Sequence, residues 1–230
     1  MGAVLLVRHG QASWGAADYD VLSPTGREQG LLLGAALAAR GTAPTAVVRG
    51  GMRRHRETLD AVLEGAAAAG AAWPGEVEVV EDLGWDEFDH EQVLAGVRAG
   101  PEVATDRRAF QRWFEEATSL WAAADEASSY AESFAGFLAR GEAALGRAAA
   151  QAAGGGTVLA VTSGGVVAAC ASALVGLPTE DPAVRAAVWR RLNDVVVNSS
   201  VTKVVTGRRG TTLVSFNEHT HLDGGPLTYR

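Results

Sequence analysis

Residues 2–15 read GAVLLVRHGQASWG. Five apolar residues, Ala3 to Val7, run without interruption into Arg8, His9 and Gly10. A short continuous apolar run is the pattern of a strand buried on both faces, as in a parallel sheet covered by helices. Open α/β sheets carry their ligands beyond the carboxyl ends of the strands, where this cation, imidazole and glycine stand. The layout recurs at residues 157–170, TVLAVTSGGVVAAC, with Ser163-Gly164-Gly165 at the strand's end.

Working outward, residues 22–41 (LSPTGREQGLLLGAALAARG) predict a helix. Thr25 and Glu28, three apart, have the spacing of a capping box, and Gly41 is a natural stop. TAVVRG at 45–50 predicts a second buried strand, followed by a helix through MRRHRETLDAVLEG at 52–65. EVEVVED at 76–82 predicts a third strand, and the fourth, from 156, feeds the apolar helix VVAACASALVG. Two closing strands, VVVNSSVTKVVT and TTLVSFN, flank GRRG as a hairpin turn. Alternating strands and helices predict an α/β fold of three layers. Its mostly parallel central sheet of roughly six strands would have helices on both faces and an antiparallel edge. Between residues 92 and 153 the strand pattern disappears. Residues 106–125 and 129–152 read as two helices with aromatic faces, a helical insertion beside the sheet's carboxyl ends within one domain spanning 1–230. Trp113, Phe114 and Trp121 on these helices are expected in the core.

The chain of 230 residues is 47% hydrophobic and carries a formal charge of −7, which argues against a general nucleic-acid or anionic-membrane binder. No apolar run is long enough to span a membrane, and the start lacks the layout of a signal peptide. Cys170 is the only cysteine, so no intrachain disulfide forms, and a reducing, cytoplasmic location is the expectation. Cys170 lies in the apolar helix and is expected to be buried and inert. Lys203 is the only lysine, so positive charge is almost all arginine. Arg53, Arg54 and Arg56 cluster in GGMRRHRET, and guanidinium forks suit phosphate or carboxylate oxygens. Arg53 and Arg56, three apart, share a helix face that Arg54 does not.

Taken together these segments resemble the histidine phosphatase superfamily, the phosphoglycerate mutase-like group. Arg8-His9-Gly10 matches the family's first signature, and SPTGREQG its glycine- and glutamine-bearing helix start. GGMRRHRET matches a stretch like S-x-x-x-R-A-x-Q-T, with Arg54 on the arginine. LGWDEF places Glu87 on the acidic position, ahead of Asp86 and Asp89, and NSSVTKV with LVSFNEHTHLD resembles the closing strands. The resemblance covers almost the whole chain in order.

It implies a metal-independent phosphomonoesterase that needs no cofactor and acts on a small phosphorylated substrate. His9 would attack phosphorus and form a phosphohistidine. Arg8 and Arg54 would grip the phosphoryl oxygens, and Glu87 would protonate the leaving alcohol and then activate water. Gly10 would let backbone approach the anion. One departure stands out. The family pattern V-S-H-G-G has a second histidine where this chain has Ser163. Ser163, the Gly164 and Gly165 backbone at a helix start, or a neighbouring imidazole from His55 or His90 would have to compensate. Three other readings stand beside the phosphomonoesterase: a degenerate member that binds a phosphorylated ligand or partner without turnover, which the departure motivates; a mutase, which the missing histidine disfavours; and a serine hydrolase. The last would use Ser163 in its strand-to-helix turn with Asp194 and His219 or His221. Those two histidines, two apart, would share a face on a strand and stand at the pocket rim; alone they are too few for a metal site.

Overall fold

The computed structural model describes residues 1–13, 20–71, 73, 78–100, 106–124, 129–176 and 181–229. Strands β1 (Gly2–Arg8), β2 (Ala46–Arg49), β3 (Val79–Glu81), β4 (Thr157–Thr162), β5 (Val201–Gly207) and β6 (Gly210–Glu218) form one sheet in the order β3-β2-β4-β1-β5-β6. The first four are mutually parallel where they pair, whereas β5 runs antiparallel to β1 and β6 antiparallel to β5. β3 is shorter than the expected 76–82, of which 76–77 lie outside the described residues. Its Val79 and Val80 are partly exposed, as an edge strand allows.

Alternation along the strands builds the two faces. Leu5 and Val7 of β1, Val47 of β2, and Leu159 and Val161 of β4 pack with Leu33 and Leu37 of α1 (Pro24–Ala39) and Leu59 and Val62 of α2 (Arg53–Ala68). Val4, Leu6, Val48, Val158 and Ala160 point the other way. They meet α5 (Phe134–Gln151) and α6 (Gly164–Val175) in a core that also takes in α4 (Arg107–Ala123) and α7 (Pro182–Asn193). The layers are therefore helix, sheet, helix. Short α3 (His90–Ala95) packs on α4. The expected 92–153 insertion includes 101–105 and 125–128, which lie outside the described residues. Its described helices share their apolar core with the sheet.

Three details differ from the sequence expectations. Helix α1 is capped by Ser23, whose Oγ accepts from Gly26 N at 3.0 Å, rather than by Thr25. Pro24 explains the shift, because its fixed φ and missing N–H suit the first helical position. Helix α7 was not anticipated: its alanines and arginines mark no wide apolar stripe, and Trp189 is its main core anchor. His219 and His221 lie on a 3₁₀ turn at 220–222 and its cap, not on a strand, because β6 ends at Glu218. Trp121 is buried as expected, whereas Trp113 and Phe114 are only partly so. Cys170 is buried, and burial pushes its thiol up to about 12, keeping it protonated and unreactive.

Candidate active site

The carboxyl ends of the four parallel strands put the chemistry-bearing residues together. Arg8 ends β1 and pairs in register with Thr162, the last residue of β4, so His9 and Ser163 leave the sheet side by side. His9 N donates to Thr162 O at 2.8 Å, locking the two exits together. Gly50 N, just beyond β2, donates to Val161 O at 3.1 Å, which brings the start of α2 to the same edge. Beyond β3 a 3₁₀ turn at 83–85 delivers Asp86 and Glu87, and Thr162 Oγ1 donates to Trp85 O at 2.5 Å.

His9 is buried, with Nδ1 at 2.7 Å from Gly10 O. A carbonyl only accepts, so Nδ1 carries the proton and Nε2 keeps its lone pair. Burial is the main cause holding the imidazole well below its ordinary pKa, followed by the positive charges of Arg54 and Arg8. The ring is thus neutral with one basic nitrogen, the state a nucleophile requires. Its backbone is held from behind: Asn198 Nδ2 and Ser199 N both donate to His9 O, at 3.1 and 3.2 Å.

Arg54 is buried and its Nη1 meets Asp20 Oδ1 at 2.7 Å, while its Nε has no partner among the described residues. A buried guanidinium N–H left unsatisfied is costly, and an anion would satisfy it. Arg53 and Arg56 are exposed on the other side of α2, so the cluster divides as helical spacing predicted. Arg8 Nη1 donates to the carbonyls of Val196 and, at 2.5 Å, Tyr229. Arg8 and Arg54 both act electrostatically on His9 and on Glu87, which ties the four side chains to one locus.

The crowded acidic segment divides its labour. Asp82 accepts from Gly84 N and pairs with Arg147. Asp89 caps α3 by accepting from Glu91 and Gln92 N–H groups. Asp86 Oδ1 accepts from Gly51 N at 2.7 Å and Met52 N at 3.3 Å, at the start of α2. Glu87 alone turns to the head of α6, where Oε2 accepts from Gly165 N at 3.0 Å. Burial, outweighing that hydrogen bond and the two arginines, raises the Glu87 pKa. Phe88, next in the chain, wedges between Trp121 and Phe137 at ring separations of 4.7 and 5.5 Å, fixing the carboxyl's approach. A Cβ at Gly165 would lie 2.2 Å from Glu87 Oε1, so a side chain there would displace the carboxylate.

The glycines expected to face an anion serve other purposes in this state. Gly10 N donates to Thr58 Oγ1 at 3.0 Å, so that N–H is already taken, and a Cβ on Gly10 would come within 2.3 Å of Gly26 O. Its lack of a side chain lets β1's exit lie on α1. A Cβ on Gly164 would stand 3.3 Å from Arg8 Nε, so this glycine makes room for the guanidinium.

Ser163 is buried, and its Oγ is 2.8 Å from His55 Nε2. The imidazole next to this serine is therefore His55, not His219 or His221, which correct the serine-hydrolase expectation: His219 Nδ1 is engaged with Asn217 O at 2.6 Å. His90 starts α3, a separate element from those converging on His9.

Several contributors escaped the sequence reading. Gln29 Oε1 accepts from Gln11 N, while its Nε2 donates to Pro226 O at 2.6 Å and Thr228 Oγ1 at 2.8 Å. Thr228 Oγ1 in turn donates to Asn198 Oδ1 at 3.0 Å. A polar chain thus runs from the C-terminal segment to the His9 carbonyl. Asn198 stood in the quoted NSS stretch, but nothing in its spacing pointed to His9. A cavity of about 240 Å³ opens between α4 and α7, lined by Phe114, Thr118, Trp189, Arg190, Asn193 and Asp194 among others. Trp189 Nε1 donates to Gly165 O at 2.9 Å, linking that wall to the head of α6.

Residues 4–219 match the family model of the histidine phosphatase superfamily, branch 1. The chain belongs to that superfamily. Among solved structures with the same fold is a phosphoglycerate mutase from Bacillus anthracis, 21% identical, covering 96% of this chain and 94% of that one with a TM-score of 0.64. A phosphoserine phosphatase from Entamoeba histolytica, in complex with 3-phosphoglyceric acid, is 18% identical and covers 96% of this chain and all of the other, at 0.62. A mycobacterial glucosyl-3-phosphoglycerate phosphatase complexed with VO3 is 21% identical, with coverage of 95% and 100% and a TM-score of 0.61. No curated protein matches the chain. Phosphatases and a mutase thus share this superfamily fold, and among the described residues no helix is long and apolar enough to cross a membrane.

Proposed function

We propose that this histidine phosphatase superfamily member is a metal-independent phosphomonoesterase working through His9. The observation that carries the reading is the neutral imidazole of His9, its Nδ1–H given to Gly10 O, with Arg8 and Arg54 acting on it and on a half-buried Glu87 whose pKa is raised.

In the first step the Nε2 lone pair forms an N–P bond as the ester P–O bond breaks. The departing electron pair stays on the alcohol oxygen, which takes the proton of the Glu87 carboxyl. In the second, a water oxygen bonds to phosphorus, the N–P pair returns to Nε2, and the water's proton goes to the Glu87 carboxylate. Arg54, with its unsatisfied Nε, and Arg8 hold the equatorial oxygens and stabilise their developing charge. Glu87's raised pKa favours the protonated form that the first step needs. Ser163 stands in place of the family's second histidine, so a neutral hydroxyl replaces a ring donor there. The described helices of the 92–153 segment would form the leaving-group side.

The test is p-nitrophenyl phosphate hydrolysis in the presence of EDTA, wild type against His9→Ala. Activity that survives chelation and disappears in the variant is expected. Vanadate binding without hydrolysis would mean a site that holds phosphate and does not transfer it.

A further inference from the structure

Position 163 lacks its family histidine, yet a histidine stands at 55, where the quoted R-A-x-Q-T pattern has alanine. The two departures meet in space. His55 is fully buried, its Nε2 is 2.8 Å from Ser163 Oγ, and its ring centroid lies 5.9 Å from that of His9. On the far side, Nδ1 is 3.6 Å from Asp86 Oδ1, an electrostatic approach beyond hydrogen-bond distance, and Nδ1 has no hydrogen-bond partner among the described residues. That carboxylate is fixed by the Gly51 and Met52 N–H groups. The local backbone is shaped for this arrangement: a Cβ at Gly50 would lie 2.3 Å from His55 Nδ1 and 2.4 Å from Asp86 Oδ1.

The geometry points to an Asp86–His55–Ser163 relay, in which His55 serves the phosphoryl group from helix α2, through the Ser163 hydroxyl, in place of the missing strand-end histidine. The inference rests on the proposed phosphoryl site at His9. The negative charge of Asp86 beside Nδ1 favours the His55 tautomer with the proton on that nitrogen. Nε2 is then an acceptor, and Ser163 O–H donates to it in the empty site. A phosphoryl dianion arriving beside Ser163 favours a proton on Nε2, taken from solvent. The imidazolium then donates to Ser163 Oγ, whose own O–H turns to a phosphoryl oxygen. One proton is taken up per phosphoryl group bound, and the charged donor is restored at one remove.

The groups that act on His55 fit this use. Burial, the largest effect, together with Arg54 holds the His55 pKa below its ordinary value against the pull of Asp86 and Asp20, and an incoming dianion adds to the side that favours the charged form. His9, the remaining titratable neighbour in contact, is itself held neutral. Ser163 acts here as a donor to substrate, His55 and Asp86 as positioning residues.

The experiment is orthovanadate titration of the intact chain between pH 5 and 8, beside kcat for p-nitrophenyl phosphate. The variants are His55→Ala, His55→Gln, Ser163→Ala, His55→Ala/Ser163→Ala and His55→Ala/Ser163→His. Removal of one donor to a transition state costs on the order of 10²–10³-fold, and His55→Ala and Ser163→Ala should each weaken vanadate binding and kcat by about that factor. Because the pair acts as a unit, the His55→Ala/Ser163→Ala double variant should be no worse than either single change. Ser163→His should rescue His55→Ala, and the pH dependence of vanadate affinity should flatten in His55→Ala. His55→Gln retains a polar group if the alanine variant fails to fold, and it too should flatten the pH dependence. Multiplicative losses, wild-type affinity in Ser163→Ala, no rescue by Ser163→His, or labelling of Ser163 by a fluorophosphonate would each overturn the relay. Vanadate affinity reads the relay without turnover, so activity retained by His9→Ala would sink the nucleophile while leaving the relay to be decided separately. Wild type that binds no vanadate would overturn both.

Discussion

At the residue scale the site depends on two pKa shifts of opposite sign. His9 must be neutral to attack, and burial with two arginines pulls its pKa down, so the competent form survives into acid. Glu87 must be protonated to release the alcohol, and burial pushes its pKa up. Activity therefore falls at low pH as His9 gains a proton, and falls at higher pH as Glu87 loses one. The expected kcat/KM profile is a bell, with its acid limb set by His9 and its alkaline limb by Glu87. Glu87→Gln should lower kcat by about 10²–10⁴-fold and remove the alkaline limb, because no carboxyl is left to ionise. A wild-type rate that climbs steadily to pH 8 would contradict this assignment. Much of this chemistry was legible beforehand: Arg8-His9-Gly10 at a strand end, Arg54 set apart from Arg53 and Arg56 by helical phase, and Glu87 by order in the chain. The partners that set each state were not. Asp20 and Gly165 N act through hydrogen bonds formed only when distant segments meet, and Gly10 O, though next to His9 in the chain, acts through a backbone conformation that the residue pattern does not show.

At the element scale the site is positioned by how closely α1 and α2 approach. Their seam is made of glycines: a Cβ on Gly34 would lie 2.0 Å from Val62 O, and one on Gly65 2.0 Å from Leu31 O. Helix α2 carries Arg54, His55 and Thr58, and α1 carries Gly26 and Gln29, so any separation moves the site. Gly34→Ala forces backbone against a methyl and should cost about 1–3 kcal/mol as overpacking. Thermal unfolding checks this, with Tm falling by roughly 2–4 °C per kcal/mol for a chain of this size. An unchanged Tm would mean the helices can part freely. Strand and helix order was readable because alternation and helical periodicity are local signals. Helix α7 was not, since its burial comes from Trp189 docking on α6 rather than from its own pattern. The Thr25 capping expectation failed for a local reason, the proline that moved the cap two residues earlier, to Ser23.

At the scale of the whole molecule, the parallel order β3-β2-β4-β1 collects four strand ends on one edge, and chemistry spread from residue 8 to residue 165 converges there. The antiparallel β5–β6 pair brings the chain's last segment back over that edge, where Gln29, Thr228 and Asn198 tie it to His9. Composition carried none of this; the acidic balance argued only against polyanionic partners. The most direct test of the account is to trap the intermediate. Enzyme mixed with a ³²P-labelled phosphomonoester is quenched in alkali within one turnover, digested and mapped. The account predicts label on the peptide holding His9, stable to base, released by acid and missing from His9→Ala. Acid-stable label on Ser163, or hydrolysis with no labelled enzyme, would contradict it.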